Sequence, residues 1–376
     1  MRLAQQVKDW SWVKRLRKTM RYSRLRALFG PCDGVPRYID DSAVVSRCAP
    51  PVLMDWPQRV PKPRVGIVRD WDENPWWTRF ARFLKTNGFD FGLFNLHVST
   101  WLEDARHYQL IVGVPSCLAF HLEEVRRKYY VLERHMGIAC YPSFEECLLY
   151  EDKVLEAYLS GIYAFPFVST FVTHDLREAF ASIPSLPFPL VSKITPSSGS
   201  VGVELVKTAG ACRRMFKRAF SPGGRLTHAR YLRQKNYVYL QPFEKNDGYD
   251  LRIIVVGNVV SGYYRRVPDG DFRASGMHLQ EQRPLPPEAM KLARAMNQRL
   301  RFPMLVVDML RTEGGAYRVT EISPKCGVEP GDDAEVDGQA GHYVFESEDE
   351  YHFQPGRVWV QELVLREVLR RRFLSA

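Results

Sequence analysis

Cysteine is scarce in these 376 residues, and the seven present form no CxxC pair and no histidine-rich spacing. That excludes a zinc-ribbon ligand set, and an odd scatter of thiols makes a poor disulfide framework. No apolar run approaches the ~20 residues that cross a bilayer. Residues 1–30 lack the uninterrupted apolar core of a signal peptide. Together these absences predict a reduced, cytoplasmic setting. The phosphate-binding signature GxxxxGK(S/T) is absent, so a P-loop is not the frame, and no internal repeat is visible.

Charge of one sign is missing from two stretches. Residues 1–30 hold nine Lys/Arg against Asp9, a net +8, which leaves only +2 of the formal +10 for the rest of the chain. The stretch 331–350 has eight Asp/Glu and no Lys/Arg, which predicts an acidic mobile surface loop or an intramolecular partner of basic surface. In the basic tail Leu3, Val7, Trp10, Val13, Leu16 and Met20 recur at steps of three and four, striping one face of a helix whose other face is cationic. Such a helix adheres to an anionic membrane surface, at the inner face if the protein is cytoplasmic, or to an acidic partner, or else packs on its own body with its basic face solvated. A nearly neutral body with no recognition motif argues against nucleic acid.

Residues 49–63, APPVLMDWPQRVPKP, read as a linker or extended strap. From Arg64 the pattern alternates: RVGIVRD is a strand, NPWWTRFARFLKTNG a helix, FDFGLFNL and YQLIVGVPS strands, and 121–137 a helix. Strand–helix alternation predicts a parallel sheet. Ligands in such sheets lie beyond the carboxyl ends of strands, so RDWDENPWW (69–77) is either a substrate-contacting loop or a Trp-rich surface turn.

Between two later strands, TPSSGSVG exposes successive backbone N–H groups, as an anion-binding nest does, or is only a hairpin. Near the end, VVDMLRTEGGAYRVTEIS (306–323) places carboxylates on either side of Gly314-Gly315. With a two-residue loop, cross-strand partners have numbers summing to 629, so Asp308 faces Glu321. Alternation then sets Ser323 on that face with Val306, Leu310 and Val319. Opposed carboxylates on an apolar face call for a cation; an all-oxygen donor set points to Mg²⁺. Pairing of Asp308 and Glu321 with Arg311 or Arg318 is the alternative. Upstream lie Lys153 and Lys193, then Arg252, Arg265, Arg266 and Arg273, the cations phosphoryl chemistry needs.

In order and spacing these motifs resemble the ATP-grasp superfamily, especially its ribosomal-protein glutamate ligase type and more distantly the D-alanine:D-alanine ligases. The resemblance runs from about Arg64 to Glu329. It implies an ATP-grasp α/β fold behind an N-terminal parallel-sheet domain, divided as 1–60 (basic helix and linker), 61–150, 151–330 (lysine and flap part to about 235, metal part from about 236) and 331–376 (acidic loop and C-terminal helix). EDKVLEAYLSG is similar to the helix that gives a phosphate lysine, Lys153. LVSKITPSSGSVGVELV is similar to the lysine strand and phosphate flap, implying Lys193 with Ser197, Ser198, Gly199, Ser200 and Gly202. YLQPFEKNDGYDLRI resembles the adenine hinge, implying Gln241, Pro242 and Phe243 at adenine and Asp250 at ribose.

By the same resemblance DGDFRASG puts Arg273 near phosphate, and the last hairpin supplies metal ligands Asp308 and Glu321. Ser323 stands where the family usually has asparagine. The implied reaction is ATP- and Mg²⁺-dependent joining of a carboxylate to an amine through an acyl phosphate, with Arg252, Arg265, Arg266 and Arg273 stabilising charge and Mn²⁺ as an alternative ion. The two substrates are not legible; an amino acid added to a cell-envelope glycan is one option, another small metabolite a second, and a homodimer is a further expectation. A hydroxyl kinase and a catalytically silent binding protein stay open as rivals.

Overall fold

The structure is a computed structural model that describes residues 38–195, 197, 200, 202–227, 232–277, 279–325, 327 and 333–374. The expected helix in residues 1–30, and Ser198 and Gly199 of the flap, lie outside the described residues. Two compact units form: 171–243, and a larger one joining 38–170 to 244–376. The smaller unit is thus a single excursion from the larger. These limits differ from the expected divisions at 150 and 235, because hydrophobic burial ties segments far apart in sequence.

The larger unit begins with α1 (Ser42–Cys48), then β1 (Val65–Ile67), α2 (Trp76–Thr86), β2 (Phe91–Leu93), α3 (Trp101–Ala105), β3 (Leu110–Val112), α4 (Ala119–His135), β4 (Ala139–Tyr141), α5 (Phe144–Leu149) and α6 (Lys153–Tyr163). The four strands pair in parallel, in the order β2-β1-β3-β4, as alternation of strands and helices requires. Residues 49–63 form a strap: Val52 N–H donates to Glu362 Oε2 at 2.9 Å and Met54 N–H to Asn87 Oδ1 at 2.8 Å.

The smaller unit contains β5 (Phe171–Thr173), α7 (Leu176–Ser182), β6 (Leu190–Ser192), β7 (Glu204–Val206), α8 (Ala209–Ala219), the paired β8 (Arg225–Leu226) and β9 (Arg233–Gln234), and β10 (Val238–Pro242). Its sheet runs β5-β10-β6-β7, antiparallel throughout. Leu190, Val206, Val238 and Leu240 turn one face onto Phe216 and Met215 of α8. The strand period of two therefore leaves Val191, Tyr239 and Gln241 on the other.

The chain returns as β11 (Tyr249–Val256), β12 (Val259–Arg266), β13 (Gln280–Glu281), α9 (Pro287–Leu300), β14 (Met304–Arg311), β15 (Tyr317–Ser323), β16 (Ala334–Val336), β17 (Gln339–Phe345), β18 (Tyr351–Pro355) and α10 (Val360–Leu369), whose last turn widens over Arg370–Leu374. The sheet order is β15-β14-β11-β12-β17-β16, with β13 on β12 and β18 on β17. Contrary to the expected acidic loop, residues 334–355 are largely strand: Ala334, Tyr343 and Phe345 are buried and outweigh the flanking charge.

One face of this sheet packs on α9 through Ile253, Val255, Leu305, Val307, Met309, Val319 and Ile322. The other begins as core and ends as charge. Ile254, Val256, Val259, Met304 and Val306 pack with α10 and the parallel-sheet residues Val65 and Ile67; further along the same strands and the same face lie Asp250, Arg252, Arg265 and Asp308. Both stretches flanking the smaller unit are pinned to the β14–β15 hairpin. Val168 N–H donates to Val319 O and Val319 N–H to Pro166 O, both at 2.9 Å, and Asn246 bridges Thr312.

Candidate active site

The hairpin delivers the expected pairing by an unexpected route. Thr312 N–H donates to Ala316 O, so the loop holds three residues, with Gly315 at φ +84, and partners from Arg311–Tyr317 to Met309–Val319 have numbers summing to 628. A bulge between Met309 and Asp308 absorbs Thr320 and restores 629, giving Asp308–Glu321 and Val306–Ser323. The bulge also turns Val319 into the α9 core, away from the face where alternation alone would set it.

Across three strands Glu321, Asp308 and Arg252 stand in one row. Arg252 forks onto Asp308, Nε to Oδ1 and Nη2 to Oδ2, both at 2.8 Å. Arg265 joins from β12, its Nη2 at 2.7 Å from Asp308 Oδ2 and 2.6 Å from Asp250 Oδ2. Burial by itself raises the Asp308 carboxyl, but the two guanidinia outweigh it and hold it well below the usual range. Asp250 is lifted to about 6 because burial outweighs the pull of Arg265, and its Oδ1 has no hydrogen-bond partner among the described residues. Lys153, the first residue of α6, lies 3.2 Å from Glu321 Oε1. Burial works against its charge, yet Glu321, Glu151 and Glu156 hold its pKa above that of a free lysine. Glu156 fixes the hairpin itself, accepting Ile322 N–H at 2.9 Å.

Arg266 and Arg273 stay apart from this row. Arg266 follows Arg265 on β12 and alternation sends it to the other face, exposed, 3.6 Å from Glu281. Arg273 forks onto Asp271 two residues earlier, at 2.9 and 2.8 Å. Ser323 also spends its hydroxyl locally, donating to Lys325 O and accepting Lys325 N–H at 3.3 Å.

In the smaller unit Lys193 follows β6, its N–H donating to Tyr239 O at 3.4 Å, so that it shares a face with Tyr239 and Gln241. Gln241 Nε2 donates to Tyr239 Oη at 2.9 Å, and Phe243 N–H to Pro189 O at 2.9 Å, which continues the pairing of Pro242 with Leu190. Buried Ser197 donates to Ile194 O at 2.6 Å. Ser200 and Gly202 have positive φ, 62° and 72°; a Cβ on Gly202 would lie 2.2 Å from Ile194 Cδ1, so only glycine closes this loop. Buried Arg225 donates to Ser192 Oγ at 3.0 Å.

Residues 162–339 match the family described as RimK-like ATP-grasp domain. The chain carries a RimK-like ATP-grasp domain. Solved structures share the fold: the D-cycloserine synthetase DcsG (17% identity, TM-score 0.50, 69% of this chain and 91% of that one) and the ATP-grasp ligase PsnB complexed with minimal precursor (13%, 0.50, 73% and 95%). A RimK domain ATP-grasp protein from Sphaerobacter thermophilus is similar too (17%, 0.49, 69% and 90%). Among curated proteins none matches significantly. The expected ATP-grasp α/β fold with its parallel-sheet N-terminal region therefore stands.

Beside the ATP-grasp hairpin is a second cluster that sequence reasoning missed except for its first loop. Lys325, two residues past β15, reaches Pro115 O at 3.0 Å and Asp72 Oδ2 at 3.4 Å, joining the segments that follow β3 and β1. Burial opposes its charge, but Tyr150, Asp72 and Asp70 hold it charged. Asp70 accepts Trp76 and Trp77 N–H at 2.9 and 3.0 Å, and burial pushes it up to about 6. Trp71 stacks on His121 with ring centres 4.7 Å apart. Ser116 N–H donates to His121 Nδ1 at 3.2 Å, which places the ring proton on Nε2; that atom and Trp71 Nε1 are buried donors without partners among the described residues. Burial, then His97, depresses His121 to about 4, so the ring is neutral. The signal was in the sequence: RDWDENPWW follows the first strand of a parallel sheet.

Proposed function

We propose that this protein is an ATP-dependent carboxylate–amine ligase. The carrying observation is the row Glu321–Asp308–Arg252, with buried Arg265 and Lys153 against it. A substrate carboxylate oxygen attacks the γ-phosphorus of ATP, the bond to the ADP oxygen breaks, and an acyl phosphate results. The amine nitrogen then attacks the acyl carbon, the C–O bond to phosphate breaks, and the nitrogen loses a proton. Arg252, Arg265 and Lys153 are cations held ready for the phosphoryl oxygens, on the water-poor face where such donors act strongly. Burial raises Glu151, next to Lys153, which makes it the carboxylate suited to take the amine's proton. Lys325, neutral His121 and Trp71 supply donors for the acid substrate's carboxylate.

The donors suit Mg²⁺ in kind, two carboxylates on adjacent strands with no nitrogen or sulfur ligand, but in this structure Arg252 and Arg265 occupy both Asp308 oxygens, so the ion would have to share them with the guanidinia. Asp308 and Glu321 would hold it, Ser323 would not, and bound Mg²⁺ would supply charge neutralisation to the phosphates.

Incubation with Mg-ATP, a panel of carboxylic acids and hydroxylamine tests the reading by mass spectrometry. A hydroxamate with ADP and phosphate in equal amounts is expected. ADP with a stable phosphorylated product and no free phosphate would instead identify a kinase, and no ATP turnover a binding protein.

A further inference from the structure

Behind the far end of the same sheet lies a cavity of about 750 Å³, lined among others by Arg294, Asn297, Arg301, Arg371, Arg372 and Glu146. Its size is that of a small-molecule site. Gly257, at the β11–β12 turn, lies on its wall, at the opposite end of β11 from Arg252 and Asp250. Two of its arginines follow α10, and Glu146 precedes the domain, so part of the lining lies outside the 162–339 match.

Cations gather at helix carboxyl ends for a general reason, since each end offers about half a negative charge. Here α9 ends at Arg301 and α10 at Arg370. That accounts for one or two arginines, and Glu367 already binds Arg370 and Arg371, at 2.8 and 2.5 Å. The remainder are in excess. Arg301 and Arg294 have no carboxylate within ion-pair distance among the described residues, and Arg372 finds only Glu133, at 3.8 Å. Arg294 is held in place by the Phe345 ring, 4.0 Å away, and by Ser347 O at 2.9 Å. The acids on the wall offer little compensation. Glu145 is taken by Arg134, and burial lifts Glu146 to about 7.

Two polar atoms of lining residues point to more than a bare anion. Asn297 Oδ1 and Glu146 Oε1 are buried without hydrogen-bond partners among the described residues, their side chains only 3% and 2% exposed. Asn297 Oδ1 lacks a donor, and Glu146 Oε1, which carries the proton that burial retains, lacks an acceptor, so a ligand group that can both give and take a hydrogen bond is the expected complement. Arginines for a phosphate, with a buried acceptor and a buried donor for hydroxyls, together define the class.

We propose that this cavity binds a phosphorylated sugar-like metabolite, apart from the Asp308 row. The test is hydrogen–deuterium exchange of the full chain with ribose 5-phosphate, inorganic phosphate or ribose, together with calorimetric titration of Arg301→Ala and Arg372→Ala, both at exposed positions. Ribose 5-phosphate should slow exchange in 294–302 and 366–374, and each variant should weaken its binding roughly tenfold while the urea midpoint stays within error. Ribose alone should do nothing. Equal protection by ribose, protection confined to 190–206 and 304–323, or unchanged affinity in both variants overturns the proposal. Inorganic phosphate binding as tightly as the ester overturns the sugar-like part of it.

Discussion

Asp308 shows how much one carboxylate can be asked to organise. Two guanidinia converge on it inside the protein, and removing either leaves a buried charge short of its partner. Arg265→Ala should lower stability by about 3–5 kcal/mol in urea titration. Arg266→Ala, one residue on and facing away, should change it by less than about 0.5 kcal/mol. Asp308→Asn should abolish ADP formation while the circular dichroism spectrum persists; near-normal turnover would refute its role. At this scale the sequence announced the cast better than the staging. Periodicity says that only one of two adjacent arginines faces a given side, but not which one until a register is known. Ser323 is a sharper case: its residue type suggests a short ligand, and only the fold shows that the hydroxyl is bound into the turn to Lys325.

At the scale of elements, the β14–β15 hairpin pairs Asp308 with Glu321 through two features that cancel, a loop one residue longer than Gly-Gly suggests and a bulge one residue wide. The pairing was legible and its cause was not, because bulges follow from packing, here the pull of Val319 into the α9 core. The cap of α5 has a readable consequence as well. Glu146 Oε2 accepts Ser143 N–H at 2.7 Å while burial raises its pKa to about 7, above the ~4.3 of an unfolded glutamate. The native state thus keeps a proton that the unfolded chain has lost, and the native advantage is full below pH ~4.3 and shrinks as pH rises to 7. Glu146→Gln keeps the acceptor and removes the titration. Its stability relative to wild type should grow between pH 5 and 8 by about 2.5 kcal/mol in urea titration.

For the whole molecule, the alternating pattern disclosed the parallel sheet, but not that α10 completes its core. Composition is blind to contacts 300 residues apart. Val360, Leu363, Val364, Val368 and Leu369 pack with Val65, Phe80 and Trp76, and buried Glu362 holds Arg82 at 2.5 Å. At about 1.5–3 kcal/mol per apolar side chain these contacts rival the whole stability of a domain. A chain ended at residue 356 should therefore lose cooperative thermal unfolding; a sharp transition near that of the full chain would contradict this.

The smaller unit enters and leaves the larger one through two stretches, and both are fastened to the hairpin that carries Asp308 and Glu321. One is fastened at Val319, two residues from Glu321, and the other at Thr312, four residues from Asp308. Both segments of chain bordering the 73-residue excursion thus pair with a hairpin in which a slip of a single residue would turn the acids to the wrong face.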